Sequence, residues 1–305
     1  MKRPQAATGA AMSTKRGMFA YAVPYVLVAS FQYQFAKDGL LYVDPLVFMG
    51  IRYVLAGLIC FAIARNFRPI LNRDTFLLGL FAFISSAFWV TGLQYVSAGQ
   101  SAVLSYTMPL FAIPLAVLIL KERTTRFGTI GALIGFAGVA TYGLALADIG
   151  GSTLGIVLSV ANAFFWGLYT VYYRKLKNQD PIRTVGTQFF IGGLLYVPLF
   201  PFVFYLNPTP EFFVDLFYVS VIGGAVTLLL WNAMVRMESI GRVTTLAFAV
   251  PATTVIIQAL LTGEIPSPVE ILGVCIMFGG IYISRLRPGM VLVAPTEPVV
   301  LPEVP

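Results

Sequence analysis

Residues Trp89 to Gly143 read WVTGLQYVSAGQSAVLSYTMPLFAIPLAVLILKERTTRFGTIGALIGFAGVATYG. Residues Trp231 to Arg285 read WNAMVRMESIGRVTTLAFAVPATTVIIQALLTGEIPSPVEILGVCIMFGGIYISR. Laid over each other at an offset of 142 residues and without a gap, the two stretches share eleven identities in 55 positions. The shared residues include Trp89/Trp231, Ser97/Ser239, Gly99/Gly241, Pro109/Pro251, Glu122/Glu264, Gly131/Gly273, Phe136/Phe278 and Gly138/Gly280. Apolar composition produces chance matches of Leu and Val, but not Trp, Pro, Glu and Gly in one register. The chain is therefore two related halves, and that decides the fold.

Composition says what surrounds those halves. The chain is 58% hydrophobic and 11% charged, against about 25% charged in a soluble domain. So little polar surface cannot cover a globule, and lipid must solvate most of the chain. About 20 mainly apolar residues cross a bilayer as a helix. Ten such runs are expected, over 17–36, 45–64, 75–94, 101–120, 127–147, 152–173, 184–206, 213–235, 243–262 and 269–286. The expected fold is an all-α integral membrane protein of ten transmembrane helices, built as two inverted five-helix repeats around a central cavity. The organisation follows as an N-terminal tail over 1–16, a first repeat over 17–147, a second over 152–287, and a proline-rich, disordered tail over 288–305.

Charge sets the orientation. Of the twenty Lys and Arg residues, eighteen fall in the tails and the even-numbered connections, Lys37 alone in an odd one, and Arg52 inside the second span. Both termini are expected on the cytoplasmic side of the plasma membrane, the inner membrane in a bacterium. Five spans per half is an odd number, so the second half starts on the opposite side and is inverted. The loop residues agree: around Glu264 the Glu of Lys121-Glu122-Arg123 is retained and both cations are gone. Inverted repeats are the architecture of secondary transporters, which open one central site to either side in turn.

Several function classes are excluded. The net charge of +7 is spread between apolar runs and forms no basic patch for nucleic acid. There is no His, and Cys60 and Cys275 lie singly in apolar runs, so neither a zinc site nor any other cofactor site is read. No phosphate-cradling Gly-x-x-x-x-Gly-Lys-Ser/Thr is present. The first apolar run is too long for a cleaved signal core. An intramembrane enzyme would need a nucleophile or an acid/base pair at depth, and the chain places no carboxylate at mid-span. A channel-like pore for small solutes remains the alternative to a carrier.

Polar residues deep in a span must face protein or water. Ser85, Ser86 and Trp89 share one turn of the third span. Asn162, Trp166 and Tyr169 run i, i+4, i+7 along the sixth. With Gln32, Tyr106 and Trp231 they make a candidate surface for an amphipathic small molecule: Gln32, Ser86, Trp89, Tyr106, Asn162, Trp166, Tyr169 and Trp231. The competing readings are an interfacial belt for the aromatics and helix packing for Asn162. Pro109 and Pro251, with Gly99 and Gly241, are candidate hinges, since a proline kinks a helix and frees a carbonyl. Arg52 could meet a substrate carboxylate, snorkel, or pair with Asp38 or Asp44. Glu122 and Glu264 are read as structural before they are read as gates, and Ser267-Pro268-Val269-Glu270 as a capping box. The glycines of the fifth and tenth spans serve packing within the chain or, alternatively, a homodimer.

Pro, then Glu thirteen residues on, then Gly-x6-Gly, occurs as Pro109/Glu122/Gly131/Gly138 and as Pro251/Glu264/Gly273/Gly280. Asp44-Pro45 with Arg52, and Trp166-Gly167, accompany it. In these motifs, over about residues 17–287, the chain resembles the drug/metabolite transporter superfamily in its ten-span EamA-type branch, and within it YddG-type aromatic amino-acid exporters. The first half departs from the pattern by having Ser30-Phe31 near the place of an aromatic-Gly pair. The resemblance implies a basket of helices around a central cavity, peripheral fifth and tenth spans, and efflux of small metabolites such as amino acids from the cytoplasm.

Overall fold

The structure is a computed structural model that describes residues 6–122, 125–147, 152–262, 267–284 and 286. In chain order its α-helices are α1 (Ala6–Gly39), α2 (Pro45–Ile63), α3 (Arg73–Tyr95), α4 (Ala98–Ser105), α5 (Pro109–Leu120), α6 (Arg126–Ala147), α7 (Thr153–Lys175), α8 (Pro181–Tyr196), α9 (Phe200–Val203), α10 (Pro210–Phe217), α11 (Thr227–Met237), α12 (Ile240–Leu246), α13 (Ala249–Thr262) and α14 (Pro268–Ser284). A 3₁₀ turn, Val197–Leu199, joins α8 to α9, and a π-helical stretch, Tyr218–Val226, joins α10 to α11. Six segments among the described residues are long and apolar enough to cross a membrane: Pro45–Ile63, Arg73–Tyr95, Ala98–Leu120, Thr153–Lys175, Pro181–Val203 and Pro210–Met237. Each falls on an expected span. Glu264 and the tail from residue 288 lie outside the described residues, and α1 begins well before residue 17.

Local sequence sets the helix starts. Asp44 caps α2 through the N–H of Leu46, with Pro45 in the first position, where a missing N–H does no harm. Asn72 and Thr75 form a reciprocal capping box on α3, and Ser97 and Gln100 one on α4. The box expected at Ser267 and Glu270 forms in both directions, at 2.7 and 3.3 Å. The repeat is visible in these boundaries. α3 and α11 end, α4 and α12 begin, and α6 and α14 begin at positions separated by the same 142 residues.

The fourth and ninth expected spans are broken helices, interrupted at Tyr106–Met108 and at Ala247–Phe248, just ahead of Pro109 and Pro251. Proline cannot donate to the carbonyl four residues back, which is that of Ser105 or Ala247. Those carbonyls are nevertheless satisfied. The N–H of Met108 reaches Ser105 O at 3.2 Å and the N–H of Val250 reaches Ala247 O at 2.9 Å, a tightened turn in each case. The freed carbonyl expected from the sequence is thus recovered locally.

The closest-packed pairs join the two halves: α3 lies on α7, α2 on α8, and α6 on α14. In the last pair the glycines face each other. A Cβ at Gly280 would lie 2.5 Å from Gly131 O, and one at Gly138 would lie 2.6 Å from Met277 N. These glycines of α6 and α14 serve packing within the chain, whereas a Cβ at Gly279 would meet nothing within 4 Å. Neither helix lines the central cavity.

Candidate functional site: a central aromatic cavity

A cavity of about 120 Å³ opens where α1, α2, α3, α4, α7, α8 and α11 converge. Helical periodicity delivers its wall. Tyr25, Ala29, Gln32 and Tyr33 form a stripe on α1, Ser85, Ser86 and Trp89 one on α3, and Asn162, Trp166 and Tyr169 the expected one on α7. Tyr106 enters from the break after α4, and Thr227 and Trp231 from α11. All eight residues singled out from the sequence, Gln32, Ser86, Trp89, Tyr106, Asn162, Trp166, Tyr169 and Trp231, line this space. The hinge candidates do not: Gly99 and Pro109 lie in the first broken helix, and Gly241 and Pro251 in the second, behind the wall.

The aromatic rings form a continuous surface. Trp231 packs on Tyr25 at 5.2 Å between centroids and on Trp166 at 5.6 Å. Trp166 meets Tyr106 edge-on at 5.3 Å, and Tyr33 meets Trp89 edge-on at 5.5 Å. Such contacts hold rings rigidly while leaving faces for a ligand. The belt reading suited to surface aromatics does not apply to Trp166, whose neighbours are these rings. It does fit Tyr172, which donates to Asp74 at 2.8 Å beside Lys175. Tyr173 is buried and accepts from Arg236 Nε instead.

Polar groups in the wall are cross-linked. Asn162 Nδ2 donates to Ser105 Oγ at 2.8 Å and its Oδ1 accepts from Ser85 Oγ at 2.8 Å, tying α7 to α4 and α3. The packing and the cavity readings of Asn162 therefore both hold. Ser86 shares hydrogen bonds with Tyr53 at 2.7 Å and Tyr196 at 2.8 Å. Asn232 Nδ2 holds the hydroxyl of Tyr169 at 2.8 Å, and Trp231 Nε1 donates to Thr170 at 3.2 Å. Four wall donors or acceptors have no such partner among the described residues: Arg52 Nε, Trp89 Nε1 and both ends of the Gln188 amide.

Arg52 is the cation of this wall, with only 8% of its surface exposed. Its NH2 donates to Gly223 O at 3.3 Å, and its guanidinium lies 5.3 Å from the Trp89 ring centroid. Neither expected acid reaches it. Asp44 is occupied with its helix cap, and Asp38 accepts from Gln34. Snorkelling is likewise excluded by the burial. Gly223 belongs to the π-helical stretch, whose wide turn carries its carbonyl into the wall. π-Helical turns recur at functional sites. Sequence reading missed Tyr25, Tyr33, Tyr53 and Gln188. The spacing of Tyr25, Ala29 and Gln32 was the available signal, and it is diluted by the other aromatics of an apolar helix. Among the described residues no three His, Cys, Asp or Glu side chains gather to hold a metal.

The chain is similar to proteins named as transporters. A transporter of Acidianus ambivalens encoded in the sor 3′ region, itself uncharacterised, is 47% identical over 79% of this chain and 93% of its own. A probable amino-acid metabolite efflux pump of Salmonella typhimurium is 24% identical over 90% of this chain and 95% of its own. A solved crystal structure shares the fold with a TM-score of 0.74 at 17% identity, over 89% of this chain and 97% of that one. The EamA-like transporter family matches residues 17–144 and again 153–286. The chain is a membrane transporter and belongs to the EamA-like transporter family.

Proposed function

We propose that this protein exports small metabolites of the amino-acid type, with large apolar or aromatic side chains, across the plasma membrane by alternating access. The observation that carries the reading is Arg52, a buried cation without an acidic partner in the wall of an otherwise aromatic cavity. A guanidinium suits a carboxylate, and the rings of Tyr106, Trp166 and Trp231 suit a large apolar body. The efflux pump from Salmonella supports the substrate class by its likeness over nearly the whole chain.

The mechanism needs ten spans with both termini cytoplasmic and the second half inverted. The charge distribution and the doubled family match support that topology. The two broken helices, α4–α5 and α12–α13, which pack against each other, then become matched flexing elements, with Gly99, Pro109, Gly241 and Pro251 as their hinges. Transport is facilitative in this reading.

Reconstituted protein should show saturable uptake of labelled phenylalanine or tryptophan that unlabelled substrate on the far side accelerates. Such counterflow needs a carrier whose site alternates. Flux that rises linearly with concentration and ignores the far side would instead indicate a channel-like pore.

A further inference from the structure

The charge in the cavity is unbalanced. Arg52 is the one charged residue among those lining it, and none is Asp or Glu. The ion pairs among the described residues, Lys175–Asp74 and Arg242–Glu238, lie elsewhere. Among the described residues Arg52 Nε has no hydrogen-bond partner, and the terminal nitrogens reach Gly223 O at 3.3 Å and Met49 Sδ at 3.7 Å. Beside it Trp89 Nε1 is a second buried donor without an acceptor among the described residues. A buried guanidinium without a counter-ion is strongly unfavourable, and an anion at this spot relieves both deficits together. A substrate ammonium gains much less. It finds only ring faces and neutral oxygens, and Arg52 repels it.

We infer that the cavity selects by net charge: its favoured ligand is a singly negative aromatic or large apolar carboxylate without a protonated amine, a deaminated or N-acylated relative of an amino acid, and it leaves the cell as the anion. This rests on the cavity being the transport site, as proposed above. It also identifies a driving force that requires no titratable coupling group. One elementary charge moved across about 100 mV corresponds to about 2.3 kcal/mol, or an about 50-fold gradient. An inside-negative potential pushes an anion outward and leaves a zwitterion unaffected.

Three compounds with one phenylethyl skeleton separate the possibilities: 3-phenylpropanoate, phenylalanine and 2-phenylethylamine carry net charges of −1, 0 and +1. All three tryptophans of the chain line the cavity, so their fluorescence reports binding to the purified full-length protein. The expected order is anion, zwitterion, cation, with at least a tenfold gap between the first two. Arg52→Gln should erase the gap and Arg52→Lys should keep most of it. In proteoliposomes, a valinomycin potassium potential should shift protein-dependent 3-phenylpropanoate flux in the direction for a moving anion. Phenylalanine binding as tightly as 3-phenylpropanoate, or flux indifferent to the potential, would overturn the charge selection while leaving the exporter reading intact. No binding and no flux of any of the three would overturn both.

Discussion

The carboxylate of Glu122, at the end of α5, accepts a hydrogen bond of 2.8 Å from the backbone N–H of Ile240, the first residue of α12. The first broken helix is thereby tied to the start of the second. A helix N-terminus carries unsatisfied donors and a partial positive charge, so an acid there is stabilising. This is the structural reading of Glu122, with a partner in the other half that sequence spacing could not supply. Glu122→Ala should lower stability by about 0.5–2 kcal/mol, the range for a lost cap. Glu122→Gln, which keeps an acceptor, should lose less. Thermal unfolding in detergent checks both, and substrate affinity should be unchanged in the folded fraction.

The contact of α6 with α14 gives a paired comparison on adjacent glycines. A Cβ at Gly280 would lie 2.5 Å from Gly131 O and 2.5 Å from Gly135 N, both backbone atoms that cannot rotate away. A Cβ at Gly279 meets nothing within 4 Å. Gly280→Ala should therefore force the helices apart at a cost of about 1–3 kcal/mol. Gly279→Ala should be neutral. Equal unfolding temperatures for the two variants would contradict this packing.

Periodicity made most of the wall legible. The α7 stripe of Asn162, Trp166 and Tyr169 lies where i, i+4, i+7 spacing puts it, because a polar group in a bilayer has nowhere else favourable to face. Tyr25, Tyr33 and Tyr53 were not legible, since a tyrosine in an apolar run fits a lipid interface equally well and only tertiary packing decides. The broken helices were half legible. Pro109 and Pro251 marked the kinks, but the recovery of their carbonyls by Met108 and Val250 depends on backbone geometry. The π-helical turn at Tyr218–Val226 had no sequence signal. For Arg52 the sequence left three readings open, and burial against Trp89 and Gly223 rules out snorkelling and the pairing with Asp38 or Asp44.

The aromatic wall predicts affinity. Trp166 is partly buried against Tyr106 and Trp231, so one of its faces is available to a ligand. Trp166→Ala and Trp89→Ala should each weaken substrate binding by roughly 1.5–3 kcal/mol, the scale of a large apolar contact. That is about ten- to over a hundredfold in Kd. Trp231→Ala should also lower stability, because its Nε1 bonds to Thr170 and its ring packs on Tyr25. Normal transport by both the Trp166 and Trp89 variants at normal expression would remove the cavity from the mechanism.

The charge split predicts topology. Cys60 is buried and Cys275 is exposed on α14, so both are first replaced. Single cysteines are then placed at the exposed positions Arg68 and Asn178, and at Leu41 and Asn207. Reagent that cannot cross the membrane should label the last two in intact cells and the first two only after permeabilisation. The reverse pattern would overturn the proposed orientation.

Energy coupling is the last prediction. A proton-coupled carrier needs a group whose protonation is linked both to substrate binding and to the switch between states. The usual groups are His, absent from this chain, and a buried carboxylate. No carboxylate lines the cavity, and Glu122 is engaged by Ile240. Asp215 is the acid that tests this reading. It lies near the start of Pro210–Met237, and with 7% of its surface exposed it is the one buried acid among the described residues. It does not line the cavity; it sits on α10 against Gly39 at the end of α1. Sodium is tested alongside protons, because backbone carbonyls in the two helix breaks could supply oxygens without any acid. Proteoliposomes with equal substrate on both sides should therefore show no accumulation under an imposed pH or sodium gradient once the membrane potential is clamped. Asp215→Asn should leave the pH profile of flux unchanged. Accumulation that collapses with a protonophore and disappears in Asp215→Asn would make the carrier an antiporter and Asp215 its coupling acid.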